Sequence, residues 1–165
     1  VHEYYDLNTM KCSRPYKHFT KKQILQYIEK NKNVKYPYET DIVQIPIIEE
    51  YIKLIDNAYI RMESRRRKMN YSTDTKILIN LPQNRTLFLT MNGDGFKVVD
   101  NDKFSLEEQN NFVLMDLDFR LLYMLLRGPR FAHWDNADHG SHINYYKKPN
   151  LYERGLYHLI CYFHE

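Results

Sequence analysis

Apolar residues recur at helical spacing in one long stretch and alternate with polar ones in several short stretches, and this contrast predicts the order of elements. From Pro46 onward, Ile48, Tyr51, Ile52, Ile55, Tyr59 and Met62 return every third or fourth position. Proline suits the first turn of a helix, so the longest helix is expected to start at Pro46 and to lay its apolar stripe on a sheet. A shorter helix is predicted upstream, where Thr20 and Gln23 form a capping box ahead of Ile24, Leu25 and Ile28 on one face. The intervening "KNVKYPYETD" should break it, because proline disfavours helix at the residue before it.

The sheet follows. "TKILINL" (75–81) and "RTLFLTM" (85–91) read as strands joined by "PQN", and "NGDG" (92–95) leads by a tight turn into "FKVV" (96–99). Residues 75–99 are therefore expected to form a three-stranded meander. "SLEEQN" suits a helical turn and "NFVLMDL" (111–117) a further strand. Asp118 can cap a helix running to Leu126, with Gly128 as its left-handed terminator. "SHINYYKK" (141–148) suits a last strand with Ile143 and Tyr145 on one face. Asn150 and Glu153 resemble a capping box for a final helix with Leu156, Leu159, Ile160 and Phe163 buried. Hairpins outnumber long crossovers. The expected fold is α+β, a mainly antiparallel twisted sheet of about five strands with helices packed on one face. Residues 1–45 read as a connecting arm with a short helix, and 46–165 as the α+β domain.

Composition changes this picture in a few places. At 165 residues the chain can bury a core of its own. Fifteen tyrosines and eight phenylalanines against five glycines suit a half-wet pocket or an interface, although compositional bias gives the same excess. A net charge of +3 does not argue for nucleic acid. The basic run "RMESRRRKM" (61–69), with its densest part at 65–68, ends a helical pattern, where cations offset the helix dipole and stay solvated. Cys12 and Cys161 belong to no ligand spacing and fit a reducing, cytoplasmic setting. No apolar run approaches the roughly 18 residues of a membrane span, and no signal peptide is expected from the residues given. A chain opening on Val1 is expected to be one domain of a longer protein.

The candidate chemistry lies in "RFAHWDNADHGSHINYY" (130–146). A metal-dependent enzyme would use His133, Asp135 and either His139 or His142, since imidazole and carboxylate suit zinc or iron. "HWD" also fits two ligands of an iron triad completed by His158 or His164. The hydrolase pattern HxHxDH is not met, because its second position is Asp135 and the Asp-His pair comes one residue late. Neither HExxH nor GxSxG occurs, and Ser141 beside His142 would point to the opposite strand face. The favoured reading is an ordered polar loop without a cofactor. In it Asp135, Asn136 and Asp138 turn the backbone, Gly140 takes a positive φ, and Trp134 plugs the core.

The segment "LLRGPRFAHWDNADHGSHINYYKKPNLYERGLYHLICYFH" (125–164) resembles the C-terminal end of certain long bacterial proteins. In those, a metallo-β-lactamase-type hydrolase domain is followed by a small domain similar to sterol carrier proteins. "NFVLMDLDFRLLYMLLRG" looks like that domain's strand and helix, "HGSHINYYKKP" like its closing strand, and "LYERGLYHLICYFH" like its last helix. The resemblance covers roughly 75–164. None of the hydrolase domain's metal motifs lies in this chain, so what it implies is a non-catalytic accessory domain. Such a domain would bind an apolar or amphipathic ligand, shape a substrate channel or hold a homodimer, with an upstream catalytic domain as its partner. Candidate lining residues are Phe88, Phe96, Phe112, Leu122, Leu125 and Trp134, each better accounted for as plain core. A plain assembly module and the metal-dependent enzyme are the alternatives.

Overall fold

The computed structural model describes residues 19–165 together with Tyr5–Asp6, Thr9 and Lys11–Cys12. Most of the first 18 residues of the arm expected at 1–45 lie outside the described residues, as does the side chain of Cys12. The chain divides into two compact units, Val1–Tyr36 and Pro37–Glu165. In the first, β1 (Tyr5–Asp6) pairs antiparallel with β2 (Lys11–Cys12), and α1 (Lys21–Asn31) follows. Thr20 caps α1 as expected: its hydroxyl accepts from the Gln23 N–H while the Gln23 side chain accepts from the Thr20 N–H.

The second unit opens on α2 (Pro37–Asp41), a short helix where the sequence predicted only a break. Proline lacks the N–H that a first-turn residue leaves unused, so Pro37 suits the start of a helix. The long helix α3 runs over Ile48–Lys68, with Ile48, Tyr51, Leu54, Ile55, Ala58 and Met62 buried. Then come β3 (Thr73–Leu81), β4 (Arg85–Met91) and β5 (Phe96–Asp100), the expected meander. Gly93 and Gly95, at φ +99° and +102°, supply the left-handed residues of the β4–β5 turn. A 3-10 turn, Asn101–Lys103, leads toward β6 (Phe112–Asp116), α4 (Phe119–Leu126), α5 (Trp134–His139), β7 (Asn144–Lys148) and α6 (Arg154–Ile160).

The five-stranded sheet has the order β5-β4-β3-β6-β7 and is mixed: β6 lies parallel to β3, while the other neighbours are antiparallel. Leaving the β5 edge, the chain crosses β4 and β3 on the face away from the helices. There Phe104 and Leu106 pack on Leu78, Phe88 and Phe112. The Phe104 ring meets Phe88 edge-on at 5.1 Å. On the other face Ile77, Ile79, Leu87, Leu89, Val113 and Met115 meet residues of α3, α4, α5 and α6 in the main core. The middle strands are thus covered on both sides, which explains the unbroken run Ile77–Leu78–Ile79 where a one-sided strand would alternate.

Polar side chains tie the helices to this frame. The buried Tyr51 hydroxyl donates to the Phe119 carbonyl at 2.8 Å, joining α3 to the start of α4. Asp118 caps α4 by accepting from the Arg120 N–H. Glu63 is buried on α3 and receives Arg66 on both oxygens and Arg67 on one. Arg66 also donates to the Tyr71 carbonyl and touches the β4–β5 turn, since a Cβ on Gly93 would lie 3.0 Å from its guanidinium. No helix among the described residues is long and apolar enough to cross a membrane.

Candidate functional site

The stretch expected to be a polar loop is in part a helix. Gly128, at φ +95°, ends α4 and turns the chain, and α5 then begins at Trp134 with Trp134 and Ala137 buried. Gly140 does not take the positive φ expected of it. It sits at φ −75°, and Ser141 adopts +58° instead. Glycine is still required, because a Cβ there would lie 2.7 Å from the His142 ring and 2.9 Å from the Asn136 carbonyl. Trp134 fills the role expected of it: its ring lies in the core, and its Nε1–H donates to the Phe163 carbonyl at 2.9 Å.

The turn into α6 departs from the expected capping box. Glu153 takes the N-cap position without a side-chain cap bond. Its carboxylate instead accepts from three hydroxyls at and just before the start of the central strand β3, those of Tyr71, Thr73 and Thr75. Burial alone would raise the Glu153 pKa, but the hydroxyl donors outweigh it and the net shift is downward.

Between α5, β7 and α6 lies a cleft of about 480 Å³. One wall is aromatic, formed by Tyr145, Tyr152 and Tyr157. Tyr152 stacks on Tyr157 at 4.8 Å, and Tyr145 meets Tyr157 edge-on at 5.7 Å. The other wall is α5, which presents Asp135, Asp138 and His139. Arg61 and Arg154 also line the cleft, so its formal side-chain charges balance. The polar groups are already engaged with one another. The Cys161 thiol donates to Asp135 at 3.0 Å, and the Tyr145 hydroxyl faces Asp138. Burial, then the bond to Asp135 and the nearby carboxylates, push the Cys161 pKa up to about 12. Burial and Asp138 likewise raise the pKa of Tyr145. At neutral pH the thiol and the phenol are therefore protonated donors rather than nucleophiles.

The histidines of the 133–142 cluster do not converge. His139 bonds the Asp135 carbonyl through Nδ1 at 2.7 Å, and His142 Nδ1 lies 3.3 Å from the Tyr38 hydroxyl. His133 precedes α5 with no side-chain capping bond. Among the described residues, no three His, Cys, Asp or Glu side chains are arranged to hold a metal ion. The six lining candidates are dispersed as well. Phe88 and Phe112 lie on the face away from the helices, and Phe96 packs on Tyr59 at 5.3 Å. Leu122 and Leu125 are core residues of α4, and of the six only Trp134 lines the cleft. Sequence reasoning missed Tyr152, Tyr157 and Cys161 as site residues. Their signal was the tyrosine density of "LYERGLYHLICYF", which the helical stripe of the same segment obscured.

Compared with protein-family models, with curated proteins and with solved structures, the chain matches none.

Proposed function

We propose that this chain is a non-catalytic binding domain, sterol-carrier-like in type and accessory to a larger hydrolase, which takes one amphipathic small molecule in the α5–β7–α6 cleft. The observation that carries the reading is the pairing in that cleft of a stacked tyrosine wall with a carboxylate-lined helix. Tyrosine faces bind apolar or delocalised groups, while Asp135, Asp138 and the arginines orient polar ones. The cleft volume falls in the range of small-molecule sites. The protonated thiol and phenol favour binding over nucleophilic chemistry. A sheet with its helices on one face is in keeping with the sterol-carrier resemblance.

The test is native mass spectrometry of the gently purified chain, with elemental analysis of the same sample. The expected result is one organic adduct per chain, absent from a Tyr152→Ala/Tyr157→Ala variant that keeps the native circular dichroism spectrum. A doubled mass without adduct would replace the reading with an assembly module. Near-stoichiometric zinc or iron, lost in His133→Ala, would replace it with a metal-dependent enzyme.

A further inference from the structure

Beside the aromatic cleft, and sharing Arg61 and Tyr162 with it, a second groove of about 540 Å³ runs between α3 and the last residues of the chain. Arg61, Ser64, Arg65 and Lys68 line it from α3, at spacings that place them on one helix face. Glu165 contributes the one carboxylate side chain among the lining residues. The basic run divides sharply here. Arg66 and Arg67 both point to Glu63, which offsets one of their two charges. Arg61, Arg65 and Lys68 have no carboxylate within ion-pair distance among the described residues.

The helix dipole accounts for Arg65 and Lys68, which lie in the last turn of α3, but not for Arg61. Its effect fades beyond the last turn, and Arg61 lies outside that turn. Arg65 is also held in place rather than left in solvent. Its guanidinium sits 4.8 Å over the Tyr162 ring, and one terminal nitrogen lies 3.4 Å from His158 Nε2. Its Nε is buried with no hydrogen-bond partner among the described residues, so the guanidinium is not saturated there. A positioned guanidinium, flanked by two unpaired cations and a hydroxyl in a concave groove, matches the chemistry of a phosphate group.

We propose that this groove binds the phosphate moiety of a small molecule, with Arg65 as the fixed contact and Arg61 and Lys68 closing on the charge. The three cations lie within about 10 Å along one helix, a span that fits a single phosphate or diphosphate group rather than the repeated phosphates of a membrane or a polynucleotide. Arg65 and Lys68 line this groove and not the neighbouring cleft, so they separate this inference from the amphipathic-ligand reading, whereas Arg61 is shared by the two.

Calorimetric titration of the full chain with pyrophosphate at about physiological ionic strength tests it, the Debye length there being roughly 8 Å. The expected result is saturable binding with one site per chain. Arg65→Gln should weaken it about tenfold or more, as loss of a charge-assisted contact does. Arg67→Gln, whose guanidinium is on Glu63, should leave it within about twofold. Should Arg65→Gln fail to fold, the exposed Arg61→Gln and Lys68→Gln variants carry the same expectation. Absence of saturable binding overturns the proposal, and so does equal weakening by Arg67→Gln. Binding confined to phosphatidylglycerol vesicles, or confined to single-stranded RNA, with none to pyrophosphate, overturns it in favour of a membrane or nucleic-acid surface.

Discussion

The indole Nε1–H of Trp134 donates to the carbonyl oxygen of Phe163, a buried bond of 2.9 Å between residues 29 positions apart. It fixes α5 against the end of the chain and so holds one wall of the aromatic cleft. Trp134→Phe keeps the apolar ring but leaves that carbonyl without its donor. The variant should lose about 1–3 kcal/mol, the cost of a buried unsatisfied acceptor. Urea unfolding followed by circular dichroism measures this, and an unchanged midpoint would show that the bond does not hold the segment.

Glu63 predicts a pH dependence. The hydrogen bonds from Arg66 lower its pKa most, burial opposes them, and Arg67 adds to the lowering, leaving the pKa at about 2. The folded pKa is below the unfolded one, so the folded state binds fewer protons. The stabilisation is complete above the unfolded value and is lost as pH falls toward 2. The native protein should therefore lose about 2 kcal/mol of stability between about pH 4.5 and pH 2 that Glu63→Gln does not lose. Parallel denaturant curves for the two proteins across that window would refute the assignment.

Gly155 sits in the first turn of α6, where alanine would normally favour the helix by about 0.5–1 kcal/mol. Here a Cβ would lie 2.7 Å from Cδ2 of the Tyr71 ring. That ring is fixed by its hydroxyl bond to Glu153 and cannot easily retreat. Overpacking of this kind costs about 1–3 kcal/mol, so the clash outweighs the propensity gain. Gly155→Ala should lower the melting temperature, and a rise would mean that the Tyr71 ring gives way.

Cys161 should be a slow thiol. With its pKa pushed up to about 12 by burial and by donation to Asp135, iodoacetamide at about pH 8 should modify it at least 100-fold more slowly in the native than in the unfolded chain. Asp135→Asn removes the carboxylate that favours the protonated form and should quicken the native reaction. Peptide mass mapping in a Cys12→Ser background separates Cys161 from the other cysteine. Equal native rates for the two proteins would show that Asp135 does not restrain the thiol.

The elements themselves were legible because they rest on local periodicity and caps. The Ile48–Met62 stripe, the Thr20 capping box, the Asp118 cap and the glycine turn at 92–95 each act within a few residues, and each is present. Period two also told which strand residues share a face. It carries no information on which strand lies beside which. The parallel β3–β6 pair forms because the connection from β5 crosses the sheet and buries Phe104 and Leu106 on its far side. The same limit governed the site. Glu153 reads as a cap in sequence, yet hydroxyls 78–82 residues away capture its carboxylate first. Arg65 and Arg66 are adjacent and alike in sequence, but one stacks on Tyr162 and the other is paired with Glu63. The sequence by itself determined the longer helices and the strands of the five-stranded sheet, because those follow from the spacing of neighbouring residues. The short helices α2 and α5 read instead as a break and a polar loop. The order of the strands, the cleft between α5 and α6 and the unpaired cations of α3 were decided only by the tertiary structure, because each depends on contacts between residues far apart along the chain.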